Sequence, residues 1–244
     1  MKIKFFHTKA TSILLVLWCL LSACAVKKQT LNQVDLENAY RKAVKDAETA
    51  EPSEISKNLV AIVPTNKNLI WNKKGELLVV TWTNYPDYDG KIGKSIVLTQ
   101  DVWITTVPEV KIFGHKLKGN KTLAIEQLLG LPPNSGKTKF VEMWVKPADL
   151  FRPSADPEIS DCEAEIDFRS CKFAKVSDDY IQWFNKLKRE SYGANGYPWT
   201  RLGYTYNWRN DNNHIGLSEF VIIKGATVNI NSISTTLQYC SMNK

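Results

Sequence analysis

Histidine and cysteine are scarce in this chain of 244 residues, with three of the first and five of the second. The scarcity excludes a zinc site of ordinary ligand spacing, because His115 and His214 stand far apart and no Cys-x-x-Cys pair occurs. A cysteine nucleophile would need a nearby base, and the sequence places none beside Cys162, Cys171 or Cys240. A phosphate loop is also lacking. Five residues separate Gly130 from Gly136 where the motif needs four, and Pro132 and Pro133 remove amide donors that should face the phosphates. That stretch, through Lys137 and Thr138, is expected to be a helix-ending turn. Gly216-Leu217-Ser218-Glu219-Phe220 lacks the second glycine of a nucleophile elbow and reads as strand. Internal repeats, low-complexity tracts and recognition-helix motifs are missing, and the lysines are scattered rather than striped. No nucleic-acid partner, metal or cofactor is expected, and no residue is singled out as catalytic.

What is present begins at the amino end. Lys2, Lys4 and Lys9, with no acidic residue, precede the apolar run Ile13 to Leu21. A charged start, an apolar run of roughly ten and small residues after it have the form of an export leader over 1-23, too short to cross a hydrocarbon core about 30 Å thick. The formal net charge of +7 then falls to about +4 once the three lysines leave, an ordinary solubility feature.

Leu21-Ser22-Ala23-Cys24 closes the run and resembles the lipobox of bacterial lipoproteins. The resemblance implies cleavage before Cys24, a diacylglycerol on its sulfur and an acylated new amino group. Each buried methylene contributes about 0.8 kcal/mol, so several chains hold a protein firmly to a bilayer. Ala25 and Val26 follow without the aspartate that, in that family, favours inner-membrane retention, so the resemblance implies an outer-membrane anchor with the domain facing the periplasm. In such an oxidising compartment thiols pair. A Cys162–Cys171 bridge would close a short acidic loop and stabilise by roughly 2 to 3 kcal/mol; with Cys240 present, three pairings remain open.

Residues 24-57 are expected to be a lipidated start and helical spacer, with a capping box at Thr30 and Gln33 and an end at Glu51-Pro52. From 58-244 one α+β domain is expected. Leu59 to Val63, Leu77 to Trp82, Ser95 to Thr105 and Lys139 to Val145 have strand character, with a hairpin loop over Asn72 to Gly75. Lys121 to Leu129 reads as a short helix, and Phe113 to Lys116 as a surface turn around His115. Ser177-Asp178-Asp179 opens the clearest helix, whose Tyr180, Trp183, Phe184 and Leu187 share one apolar face. That helix is expected to dock on strands Thr200 to Tyr206, His214 to Ile223 and Ala226 to Ser234, the last two forming a hairpin turned at Lys224-Gly225. Short turns between strands predict a mainly antiparallel sheet rather than a doubly wound one.

The aromatic block from Tyr192 to Trp208, with Arg201 and Arg209 interleaved, is the best functional lead. Flat rings bind sugars or apolar ligands and arginine pairs with anions, so Trp199, Arg201 and Trp208 are the candidate binding residues. Core packing beneath the helix is the competing account, above all for Tyr204 and Tyr206. The segments Gly196 to Trp208 and Trp144 to Pro153 are similar to stretches of bacterial secreted proteins, a likeness that implies no activity. The carboxylates Asp156, Glu158, Asp161, Glu163, Glu165 and Asp167 supply oxygens of the kind calcium takes, but match no fixed ligand spacing and read as a solvated loop. The function expected is a lipid-anchored envelope binding or assembly module, with the bilayer as one partner and a glycan or another envelope protein as the other. The alternative is a periplasmic hydrolase of envelope glycans with its acid in the Asp156 to Asp167 loop.

Overall fold

A computed structural model describes residues 32–168, 176–210 and 212–241. Seven strands form one antiparallel sheet: β1 (Leu77–Thr83), β2 (Ser95–Val97), β3 (Val102–Thr106), β4 (Lys139–Val145), β5 (Leu150–Phe151), β8 (Phe220–Ile222) and β9 (Thr227–Thr235). Their spatial order is β2-β9-β4-β1-β3-β8-β5. The remaining two, β6 (Tyr204–Tyr206) and β7 (Ile215–Ser218), pair separately. The fold is therefore α+β with a mainly antiparallel sheet, as the short-turn pattern predicts.

The period of two along each strand divides the core into layers. Leu77, Val79, Ile104, Val141, Met143, Phe220 and Val228 bury one face under the loop residues Ile62, Leu69, Tyr88 and Leu98. Leu78, Val80, Trp82 and Phe140 bury the other face. That second face is covered by helices α2 (Glu109–Lys116), α3 (Lys121–Leu128) and α5 (Thr236–Tyr239), through Val110, Ile125 and Tyr239. Helix α1 (Gln33–Ala47) packs Leu36, Tyr40, Ala43 and Val44 against Trp208. Among the described residues no helix is long and apolar enough to cross a membrane.

Helix α4 (Asp178–Ser191) is the amphipathic one, capped by Ser177, whose side chain accepts the Tyr180 amide. Its apolar face docks on the sheet, but at the edge strand β5 and on Trp199 rather than on the three strands expected. Phe184 lies 4.9 Å from the Trp199 ring, Trp183 lies 4.9 Å from Phe151, and the Tyr180 hydroxyl donates to the carbonyls of Arg152 and Ser154.

Several local expectations need correction. Leu59 to Val63 is no strand: the Leu59 and Ile62 amides donate to the Cys162 and Ile159 carbonyls, which belong to a loop. Ser95 to Thr105 is two strands, β2 pairing with β9 and β3 with β1 and β8. The turn at Lys224-Gly225 exists, with Gly225 at φ +89°, yet the strands flanking it do not pair. β8 joins β3 and β5, whereas β9 joins β2 and β4. The stretch around His115 ends a helix, α2, instead of forming a surface turn. Gly114 permits this, since a Cβ there would stand 2.6 Å from the Cys240 sulfur.

Candidate functional site

A cleft of about 440 Å³ opens where the sheet divides. β1 and β3 pair at only two positions, Val79↔Thr106 and Val80↔Thr105. Beyond them β1 continues beside β4 through Thr83↔Lys139, while β3 turns to β8 through Val102↔Ile222. The cleft lies along this parting, with Thr81, Trp82 and Thr83 on one side and Val102, Trp103 and Ile104 on the other. Leu187 and Ser191 of α4, Leu129 to Leu131 after α3, Tyr197 to Trp199, and Thr205 and Tyr206 of β6 close the remaining walls.

Three lining rings stand open to solvent: Tyr85 and Trp103 are each 37% exposed and Tyr197 is 51% exposed. Trp199 stands edge-on to Trp103 at 6.3 Å and is held by a hydrogen bond from its Nε1 to the Pro153 carbonyl. Thr81, Thr83, Thr105, Thr205 and Ser191 line it beside the rings; the Thr205 hydroxyl donates to the Leu128 carbonyl and the Ser191 hydroxyl to the Leu187 carbonyl. A lining of flat apolar faces and scattered donors and acceptors is the common form of a small-molecule site.

Two charged-type side chains give the cleft its polarity. Glu219 is the residue at which the chain leaves β7 in the small sheet and enters β8 in the large one, its amide donating to the Gly203 carbonyl. This change of sheet carries its carboxyl inward. Glu219 is only 6% exposed, borders the cleft, and its Oε1 has no hydrogen-bond partner among the described residues. Burial pushes its pKa up to about 8, so the group is a neutral acid near pH 7, with a proton to donate. Lys137, from the turn after α3, borders the same cleft. Desolvation pulls its pKa down, and no carboxylate among the described residues pairs with it. The third charged lining group, Asp101, is committed: Oδ2 accepts from Trp183 Nε1 at 2.9 Å and Oδ1 from the Lys224 amide at 2.8 Å.

Of the residues the aromatic block nominated, Trp199 lines the cleft, while Arg201 and Trp208 do not. Arg201 donates to the carbonyls of Ala47 and Glu48 at the end of α1, and Trp208 donates to the Leu131 carbonyl while packing edge-on to Tyr40 at 5.8 Å. Glu219, Lys137 and Trp103 were the residues that sequence reasoning passed over. The available signal was a glutamate interrupting an apolar strand run at Glu219-Phe220-Val221-Ile222.

The acidic loop does not border the cleft. Asp156, Glu158 and Asp161 bring carboxylate oxygens within 4.8 Å of one another, an oxygen set suited to a hard cation, but the fully buried Arg152 already supplies positive charge there. Its Nη2 donates to the Asp161 carbonyl at 2.9 Å and reaches Asp161 Oδ1 at 3.4 Å. Asp46, Glu54 and His214 form a second group with donor atoms equally close, of the nitrogen and oxygen kind a divalent transition ion accepts. There His214 Nε2 lies 3.3 Å from Glu54 Oε1, and Tyr206 stacks on the imidazole at 4.8 Å while donating to Asp46 Oδ2. Cys162 is exposed, Cys240 is buried, and the two are not joined; Cys24 and Cys171 lie outside the described residues. In comparison with known proteins, no family model matches the chain, and neither the curated proteins nor the solved structures give a significant match.

Proposed function

We propose that this chain is a lipid-anchored envelope protein, held in the outer membrane through acyl chains on Cys24, and that it acts as a binding module whose receptor site is the divided-sheet cleft. The anchor rests on Leu21-Ser22-Ala23-Cys24. The binding role rests on one observation: among the described residues, the cleft joins exposed aromatic rings to one uncommitted carboxyl, Glu219. Hydrolysis of a glycosidic bond is ordinarily carried out by two carboxyl groups facing each other about 5 to 10 Å apart. Asp101 is the other lining acid, and both of its oxygens are engaged. Exposed rings, the Lys137 ammonium and one carboxyl suit the holding of a ligand.

Two measurements test the two halves. Cells fed an alkyne fatty acid should label the protein, and Cys24→Ser should abolish labelling and release the chain from the outer-membrane fraction. Membrane fractionation unchanged by the substitution would remove the anchor. For the binding half, tryptophan fluorescence of the detergent-solubilised chain should change on addition of envelope glycan extract, and Trp103→Ala should weaken that response about tenfold, the loss of one stacking face. An unchanged response in the variant would place binding elsewhere.

A further inference from the structure

We infer that the ligand of the cleft is an acidic saccharide, its ring stacked on the exposed aromatic mouth, its anionic group paired with Lys137 and a ring hydroxyl bonded to the Glu219 carboxyl. The inference rests on the binding role proposed above and adds the chemical class of the ligand.

Three features of the cleft converge. First, Lys137 is partly withdrawn from water with no carboxylate paired to it among the described residues, so its ammonium lacks there the partner that desolvated cations ordinarily have. A ligand anion supplies that partner through a charge-assisted bond. Second, Glu219 Oε1 is buried and unbonded at the cleft wall, an arrangement that is costly until a ligand satisfies it. Because burial keeps this acid neutral near pH 7, it does not repel the anion that Lys137 attracts. A neutral carboxyl carries a donor and an acceptor side by side, which a sugar hydroxyl, itself both, complements. Third, the lining mixes aromatic rings with threonine residues. A fatty chain matches only the rings, whereas a pyranose has apolar C–H faces and a polar rim.

The test uses the full chain in detergent and matched probes: D-glucuronic acid against D-glucose, N-acetylmuramic acid against N-acetylglucosamine, with D-glucose 6-phosphate and hexanoate alongside. Tryptophan fluorescence gives each dissociation constant. The acid of each pair should bind at least about tenfold tighter than its neutral partner, the size of one charge-assisted hydrogen bond. Lys137→Gln should shrink that preference to about twofold or less and Lys137→Arg should restore it. Glu219→Leu, which removes a buried unbonded polar atom and so leaves the fold sound, should weaken every sugar about tenfold. The stronger of the carboxylated and phosphorylated probes identifies the anion. Equal affinity for acidic and neutral sugars, or hexanoate binding as tightly as the acidic sugars, overturns the acidic-saccharide class while leaving a binding module in place. If no probe binds yet the envelope extract still gives its Trp103-dependent response, the class is again overturned; if the extract response is absent too, the binding role falls with it.

Discussion

Arg201 reaches back to close helix α1: its Nη2 donates to the Ala47 carbonyl at 3.2 Å and the Glu48 carbonyl at 2.9 Å. The last carbonyls of a helix have no partner within it and carry its negative partial charge, so a cation there satisfies both needs. Arg201 does so from a left-handed backbone at φ +60°, a conformation costing a non-glycine residue about 1 kcal/mol or more.

These two effects oppose one another, and substitutions separate them. Arg201→Ala loses the bonds and keeps the strain, and should destabilise by about 2 to 3 kcal/mol. Arg201→Gly loses the same bonds but relieves the backbone, so it should be the more stable variant by about 1 kcal/mol. Urea unfolding of both measures the difference, and the reverse order would show that the φ value carries no strain.

Glu219 should make stability fall with rising pH. Its carboxyl is protonated in the folded protein up to about pH 8 but ionises near its ordinary value of 4.5 when unfolded. Between those values the folded state holds the extra proton, so unfolding free energy declines by about 1.4 kcal/mol per pH unit and levels off above about 8. Glu219→Gln, which cannot ionise, should lack this slope and exceed the parent protein in stability at pH 8. Denaturation curves collected from pH 5 to 9 decide it; parallel curves for the two proteins would mean that the carboxyl is hydrated in the folded state.

What the sequence disclosed was whatever is local. Ser177 before two aspartates and an i, i+3, i+4, i+7 aromatic face delimit α4, and Asn72 to Gly75 closes its turn, because neighbours in the chain decide both. Pairing across the sheet is not local. The turn at Gly225 looks the same whether its flanking strands pair with each other or, as here, with β3 and β5 on one side and β2 and β4 on the other. The site suffers most from this, since the cleft exists only because β1 and β3 separate after two pairs. Alternation alone made Glu219 one more strand residue; its depth comes from the change of sheet at that position. Trp199 was recognisable as aromatic, but only the packing of α4 placed it in the cleft wall while Arg201 and Trp208 went to α1 and Leu131.

Trp183 ties α4 to the rim of the cleft. Its Nε1 donates to Asp101 Oδ2 at 2.9 Å, and its ring meets Phe151 at 4.9 Å and Tyr180 at 5.4 Å. Trp183→Ala should cost about 2 to 3 kcal/mol, less than a fully buried tryptophan because the residue is only partly buried. Since Leu187 and Ser191 of the same helix wall the cleft, the loss should also loosen that wall. Hydrogen exchange should accelerate in α4 ahead of β1 and β4; uniform acceleration would mean the helix and sheet unfold as one unit.

Arg152 is the cation around which the acidic loop closes, fully buried and bonded through Nε to the Glu158 carbonyl at 2.9 Å and through Nη2 to the Asp161 carbonyl. Arg152→Met keeps much of the volume, with the guanidinium's place over the Phe220 ring taken by an uncharged chain, but leaves Asp156, Glu158 and Asp161 facing one another. Asp161 keeps part of its surface in water, so losing the cation and its hydrogen bonds should cost less than breaking a fully buried pair, about 2 to 3 kcal/mol. The pH dependence gives the cause. Burial raises the Asp161 pKa and Arg152 lowers it, so without the arginine the carboxyl takes up a proton more readily in the folded state. The native form of the variant, holding that extra proton, regains stability as pH falls and loses it as pH rises. The deficit of Arg152→Met relative to the parent protein should therefore be smaller at pH 5 than at pH 8, and adding Asp161→Asn should shrink the deficit at pH 8. Urea unfolding of the four proteins of this cycle at both pH values measures the effect; a deficit independent of pH would assign the loss to packing against Phe220 instead of to charge.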